Sequence, residues 1–175
     1  MTRTTSSLLI IAIIAMSVFA SHHEHHRLMQ ANWNVQGTVD LVKQFEGLSL
    51  TAYVCPAGVL TIGYGHTGSG VTRGMRITQA QAEALLAQDL QRFADIVNAN
   101  VRVRLNRNQI GALVSFTFNV GGGALRSSTL LRRLNAGEDP NRVAREEMPR
   151  WNKGGGKVLP GLVRRREAEV RFFSS

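Results

Sequence analysis

The chain has 175 residues, of which 43% are hydrophobic. That is enough apolar material for one domain with its own core, and it excludes a wholly disordered chain. Its 21 Lys+Arg against 12 Asp+Glu leave a formal charge of +9, which favours polyanions such as nucleic acid, an anionic membrane or an acidic cell-wall polymer.

The excess lies in the second half: residues 101–175 hold 15 Lys+Arg and 6 Asp+Glu, whereas residues 1–100 hold 6 of each. Near the start, Arg3 precedes an apolar run at residues 8–20 (LLIIAIIAMSVFA), and Val18-Phe19-Ala20 has the spacing that a signal peptidase accepts. A helix of that length reaches about 20 Å, short of the roughly 30 Å hydrocarbon core, although Thr4 to Ser7 extend it at some cost. Residues 1–21 therefore read as a cleaved signal peptide or a marginal signal anchor, and both export the rest of the chain. Export makes the single cysteine, Cys55, conspicuous, because exported proteins usually pair their thiols or lack them. Residues 22–36 are polar and aperiodic and read as a linker. Their His22, His23, His25 and His26 have no defined ligand geometry, so no metal or other cofactor is expected.

From Thr38 the pattern becomes helical. Thr38 is a candidate cap, Val39, Leu41, Val42 and Phe45 share a face, and Gly47 marks the end, which puts Glu46 in the last turn. The negative helix end and Phe45 both disfavour an ionised carboxyl, which suits a general acid. Alternation over Leu50 to Val54, the turn Pro56-Ala57-Gly58, and renewed alternation from Val59 to Tyr64 predict a hairpin. Period two places Thr61, Gly63 and Gly65 on one face, either open to a sugar-sized ligand or small only because the hairpin bends sharply. Thr78 and Gln81 form a capping box ahead of a helix with an Ala82, Leu85, Leu86, Leu90, Phe93 and Val97 stripe. The C-terminal half predicts helices from Asn108 to Asn119, stopped by Gly121-Gly122-Gly123, then from Ser128 to Gly137, from Asp139-Pro140, and from Leu162 to Phe173. Arginines are expected on their outer faces, and Trp151 as a buried anchor between two of them.

The segment FEGLSLTAYVCPAGVLTIGYGHT (residues 45–67) resembles the active-site segment of phage-type lysozymes, the endolysins of glycoside hydrolase family 24. Their pattern is Glu, eight residues, Asp or Cys, five residues, Thr, then Gly-x-Gly-His, and Glu46, Cys55 and Thr61 match it. The resemblance continues through ALVSFTFNVGGGALRSSTLL, PRWNKGGG and GLVRRREAE, covering about residues 37–173. It implies an α+β, lysozyme-like, two-lobed fold over residues 37–175: a small β-hairpin lobe, a larger helical lobe, a helix joining them and a cleft between. It also implies a muramidase that cuts the β-1,4 bond of peptidoglycan, with Glu46 as proton donor and Cys55 and Thr61 handling the water. Cys55, where many relatives have aspartate, acts as a base or nucleophile if ionised and only positions water if not. Phe118 and Asn119 match substrate-facing positions. Arg165 and Arg166 match a pair of which one approaches the catalytic glutamate, opposing the helix end; the other reading of this run is a solvated basic face. His66 and Asp89 match a structural pair bracing the hairpin. A monomer that binds peptidoglycan and no nucleic acid is expected, held briefly at the inner membrane through residues 4–20 before release to the periplasm, as in signal-arrest-release endolysins. A lytic transglycosylase and a non-catalytic cationic binder of membranes or peptidoglycan are the alternatives.

Overall fold

The computed structural model describes residues 32–55 and 58–175, with a compact unit running from Trp33 to Ser175. Its first helix, α1 (Val35–Lys43), starts ahead of Thr38 because Asn34 takes the capping role: its side chain accepts the Gly37 N–H at 2.9 Å. Thr38 is instead fully buried inside the helix, its hydroxyl donating to the Asn34 carbonyl at 2.6 Å. The expected linker therefore gives up its last residues, and Trp33 ahead of the cap is fully buried. Past Lys43, the N–H groups of Phe45 and Glu46 both turn back to the Val42 carbonyl, so Glu46 stands in the turn beyond the helix rather than in its last turn.

Three antiparallel strands follow in the order β1 (Ser49–Val54), β2 (Leu60–Gly63) and β3 (His66–Thr67), with Tyr53 opposite Thr61 and Ile62 opposite His66. The third strand was not legible as one, since Gly63 and Gly65 interrupt the alternation with positive φ of 65° and 94°. Gly63 does not face an open cleft: a Cβ there would meet Ala82 Cβ at 3.4 Å and Ile77 Cδ1 at 3.6 Å, so its smallness admits a helix. That helix is α2 (Gln79–Asn100), opened by the Thr78/Gln81 capping box. Its N-terminal half packs on the sheet through Ala82 and Asp89; farther along, Phe93 meets Phe118 edge-on at 5.3 Å. A single helix thus joins the sheet lobe to the helical lobe.

The helical lobe is built around α3 (Arg107–Val120), buried at every position from Ile110 to Thr117. Gly121, at φ 90°, ends α3, but the glycine run does not continue as a loop: Gly122 opens a further helix, α4 (Gly122–Ser127). Next come α5 (Thr129–Asn135), capped by Ser128, and α6 (Pro140–Glu147), capped by Asp139. A 3-10 turn, Met148–Arg150, leads to a short hairpin of β4 (Lys153–Gly154) and β5 (Lys157–Val158), turned by Gly155 and Gly156 at positive φ. Trp151 is half-buried, edge-on to Phe116 at 5.6 Å. The last helix, α7 (Pro160–Phe173), lies along α3.

α1 and α3 cross at Gly111, where a Cβ would sit 2.4 Å from Thr38 Oγ1 and 3.1 Å from Phe172 Cε1. Gly111→Ala is therefore expected to destabilise the protein by about 1–3 kcal/mol, since overpacking here outweighs the gain in helix propensity. A lower midpoint of thermal unfolding checks this; an unchanged or raised midpoint contradicts the close crossing.

Candidate active site

Glu46 is held where the turn after α1 meets α7. Its side chain is 27% exposed, and its Oε1 accepts a hydrogen bond from Arg165 Nη1 at 2.5 Å. Arg165 itself is almost wholly buried, at 3%, and Arg166 at 1%. The outer-face expectation therefore fails for this pair, while Arg164 and Arg171 on the same helix are exposed. Residues 165, 166 and 169 lie on one side of the helix by the i, i+3 and i, i+4 rule, and that side is turned inward because Glu169 neutralises it. Glu169 is fully buried and accepts on Oε1 from Ser115 Oγ at 2.8 Å, Arg166 Nη2 at 2.9 Å and Arg165 Nε at 3.2 Å. Arg166 Nη2 also donates to Asn119 Oδ1 at 3.0 Å. Burial pushes the Glu169 carboxyl above the usual carboxylate range and the Arg166 guanidinium below its own, while their mutual attraction works against both displacements. Aromatic faces complete the pocket, with the guanidinium carbon of Arg165 5.8 Å from the Phe45 centroid and that of Arg166 5.0 Å from Phe116.

Two depressions meet at Glu46. One, of about 360 Å³, is lined by Phe45, Asn119, Leu162, Arg164 and Arg165 among others. The other, of about 250 Å³, is lined by Gly47, Ser49, Tyr53, Tyr64 and Gly65 on the sheet side. Glu46, Asn119 and Arg165 are thus brought to one surface. Cys55, Thr61, Phe118 and Arg166 line neither depression.

The hairpin nonetheless ties Cys55 and Thr61 to the sheet-side depression. Tyr53 lines it and is the cross-strand partner of Thr61, so those two side chains share a face. Cys55 follows Tyr53 by one strand period; its N–H donates to the Val59 carbonyl at 2.9 Å. The Thr61 hydroxyl is buried and donates to the same carbonyl at 3.1 Å, leaving its oxygen able to accept. Phe118 is half-buried against Phe93. His66 Nδ1 lies 2.8 Å from Asp89 Oδ2, and Arg92 donates to the other Asp89 oxygen at 2.6 Å, which fastens the sheet to α2.

Sequence reasoning missed Tyr53, Tyr64, Arg164, Ser115 and Glu169. Glu169 alone left a signal, its spacing of four from Arg165 and three from Arg166. Among the described residues, no group of three or more His, Cys, Asp and Glu is placed to hold a metal ion. The histidine cluster at residues 22–26 lies outside the described residues.

A phage lysozyme family model matches residues 43–169. The endolysin of Bacillus phage PZA is 51% identical over 142 residues, covering 80% of this chain and 54% of that protein. A SAR-endolysin of Bacteriophage PS119 is 42% identical over 124 residues, covering 71% of this chain and 73% of that protein. Among solved structures, the muramidase domain of SpmX from Asticaccaulis excentricus superposes with a TM-score of 0.72 at 40% identity, covering 82% of this chain and 99% of that one. The chain spans about half the length of the Bacillus phage relatives it matches. The matched stretch runs from the last residue of α1 to the buried Glu169, taking in Glu46, the hairpin and the arginine pair, and the chain belongs to the phage lysozyme family.

Proposed function

We propose that the protein is an exported endolysin muramidase, hydrolysing the β-1,4 bond between N-acetylmuramic acid and N-acetylglucosamine in peptidoglycan. The observation that carries this reading is the position of Glu46, a single carboxyl shared by two adjoining depressions and contacted by a buried guanidinium, in a chain of this family. Glu46 gives its proton to the glycosidic oxygen as the C1–O bond breaks, and Arg165 stabilises the carboxylate that remains. Positive charge develops on the sugar ring and is met by water from the opposite face. Thr61 offers that water a hydroxyl oxygen whose own proton is committed to Val59. Cys55 takes the proton from the water if it is a thiolate, or holds the water if it is a thiol. Attack from the face opposite Glu46 inverts the anomeric centre.

Asn119 and Arg165 face the saccharide from the helical side and Tyr53 from the sheet side; Phe118 and Arg166 support that wall from behind. His66 and Asp89 keep the hairpin in place. The basic C-terminal half draws the enzyme to its acidic polymer. It acts as a monomer, needs no cofactor and does not engage nucleic acid. Residues 4–20, outside the described residues, hold the exported chain at the inner membrane until release to the periplasm. Their apolar run and the SAR-endolysin relatives support this. Among the described residues, no helix is long and apolar enough to cross a membrane.

Glu46→Gln is expected to lower the rate of turbidity loss of permeabilised Gram-negative cells by about 10²- to 10⁴-fold, the usual scale for removing a general acid. Undiminished lysis would replace the enzyme with a membrane-disrupting protein. Cys55→Asp is expected to retain lysis and Cys55→Ser to lose about 10²-fold; full lysis by Cys55→Ser would make the thiol a bystander. N-terminal sequencing of the periplasmic protein is expected to find residues 1–20 still attached, and a start at Ser21 would establish cleavage instead of release.

A further inference from the structure

Glu169 lies outside both depressions and the chemistry above does not use it. Yet among the described residues it is the one carboxylate that contacts both buried arginines of α7. Arg165 has two anchors, Nε on Glu169 and Nη1 on Glu46, while its Nη2 is buried without a hydrogen-bond partner. Because a guanidinium is planar, fixing Nε fixes the direction in which Nη1 points. Arg166 is held in the same way: its Nε stands 2.8 Å from Glu169 Oε2 in charge contact, and its Nη2 is shared between Glu169 and Asn119. Its Nη1 is likewise buried and unpartnered. Among the described residues, neither guanidinium has a further hydrogen-bond acceptor. Ser115, from α3, donates to Glu169 Oε1 and so fixes the carboxylate itself.

We propose that Glu169 is a positioning residue for Glu46, aiming Arg165 at the catalytic carboxyl and Arg166 at Asn119, with Ser115 holding Glu169 in place. The proposal rests on the reading of Glu46 as general acid. Among the described residues, the charged and titratable groups that line the depressions beside Glu46 are Arg164 and Arg165 from α7 and Tyr53 and Tyr64 from the sheet side; Arg166 and Glu169 stand behind Arg165, Cys55 follows Tyr53 on the hairpin, and on α1 Lys43 is paired with Glu83. In this set Glu169 is the only anion besides Glu46 facing the arginine pair. Replacing it changes both the charge beside the pair and the anchoring that directs Arg165 at Glu46. A general acid must be protonated to work, so a disturbed Glu46 also shows in the pH profile of the reaction.

The test is Glu169→Gln in the full chain, read in two ways. The Glu46 carboxyl is titrated by 13C NMR with glutamate labelled at Cδ, its signal identified by its absence in Glu46→Gln. Steady-state kinetics are measured on a defined glycan oligomer. The expected result is a Glu46 titration that differs from wild type, a pH profile altered with it, and kcat about tenfold to a hundredfold lower with KM changed less than about threefold. A folded variant in which Glu46 titrates as in wild type and kcat is unchanged overturns the proposal, even if thermal stability falls. If Glu169→Gln does not fold, Ser115→Ala carries the test, because it keeps every charge and removes only the hydroxyl on Oε1. A kcat about threefold to tenfold lower at constant KM is then expected, and an unchanged kcat overturns the proposal. A wild-type protein without glycosidase activity defeats the reading of the function, and the NMR titration then decides the positioning role alone.

Discussion

Two guanidiniums buried side by side on α7 impose the strictest constraint on this molecule. Each would cost several kcal/mol if desolvated without a counter-charge, more than most single packing contacts return. Glu169 on the same helix supplies one counter-charge and Glu46, more than a hundred residues earlier in the chain, supplies the other. The turn after α1 is therefore docked onto α7 by charge as well as by the apolar packing of Phe45. Glu46 is 27% exposed, so this pair is only partly desolvated and serves chiefly to fix the turn after α1 against Arg165.

The groove follows from how separate chain segments are tied to that centre. α7 and the end of α3 form one wall, through Arg165 and Asn119. The sheet forms the other, and its placement depends on α2, which grips it through Ala82 under Gly63 and through the His66, Asp89 and Arg92 contacts. Glu46 sits at the junction, with depressions on both sides.

Much of the local architecture was legible because local signals decide local structure. Thr78 with Gln81, Ser128, and Asp139 before Pro140 each begin a helix where a side-chain oxygen can satisfy an orphan N–H. At α1 the expected cap failed: Asn34 caps the helix in place of Thr38, whose hydroxyl donates to a backbone carbonyl at the crossing with α3. The glycines misled in two ways. Gly63 is small to admit α2, and the run after Val120 ends one helix while opening the next.

The sequence by itself determined the starts of the helices capped by Thr78, Ser128 and Asp139, the hairpin, and the spacing of Glu46, Cys55 and Thr61; it also carried, unread, the i, i+3 and i, i+4 spacing of Arg165, Arg166 and Glu169. Each of these depends on residues within a few turns of one another, where periodicity and capping chemistry dominate. Only the tertiary structure decided that this charged side faces inward, that Arg165 and not Arg166 reaches Glu46, and that Tyr53 and Arg164 border the groove. Those outcomes depend on desolvation and charge balance summed over distant segments, and no window of the chain contains all the partners.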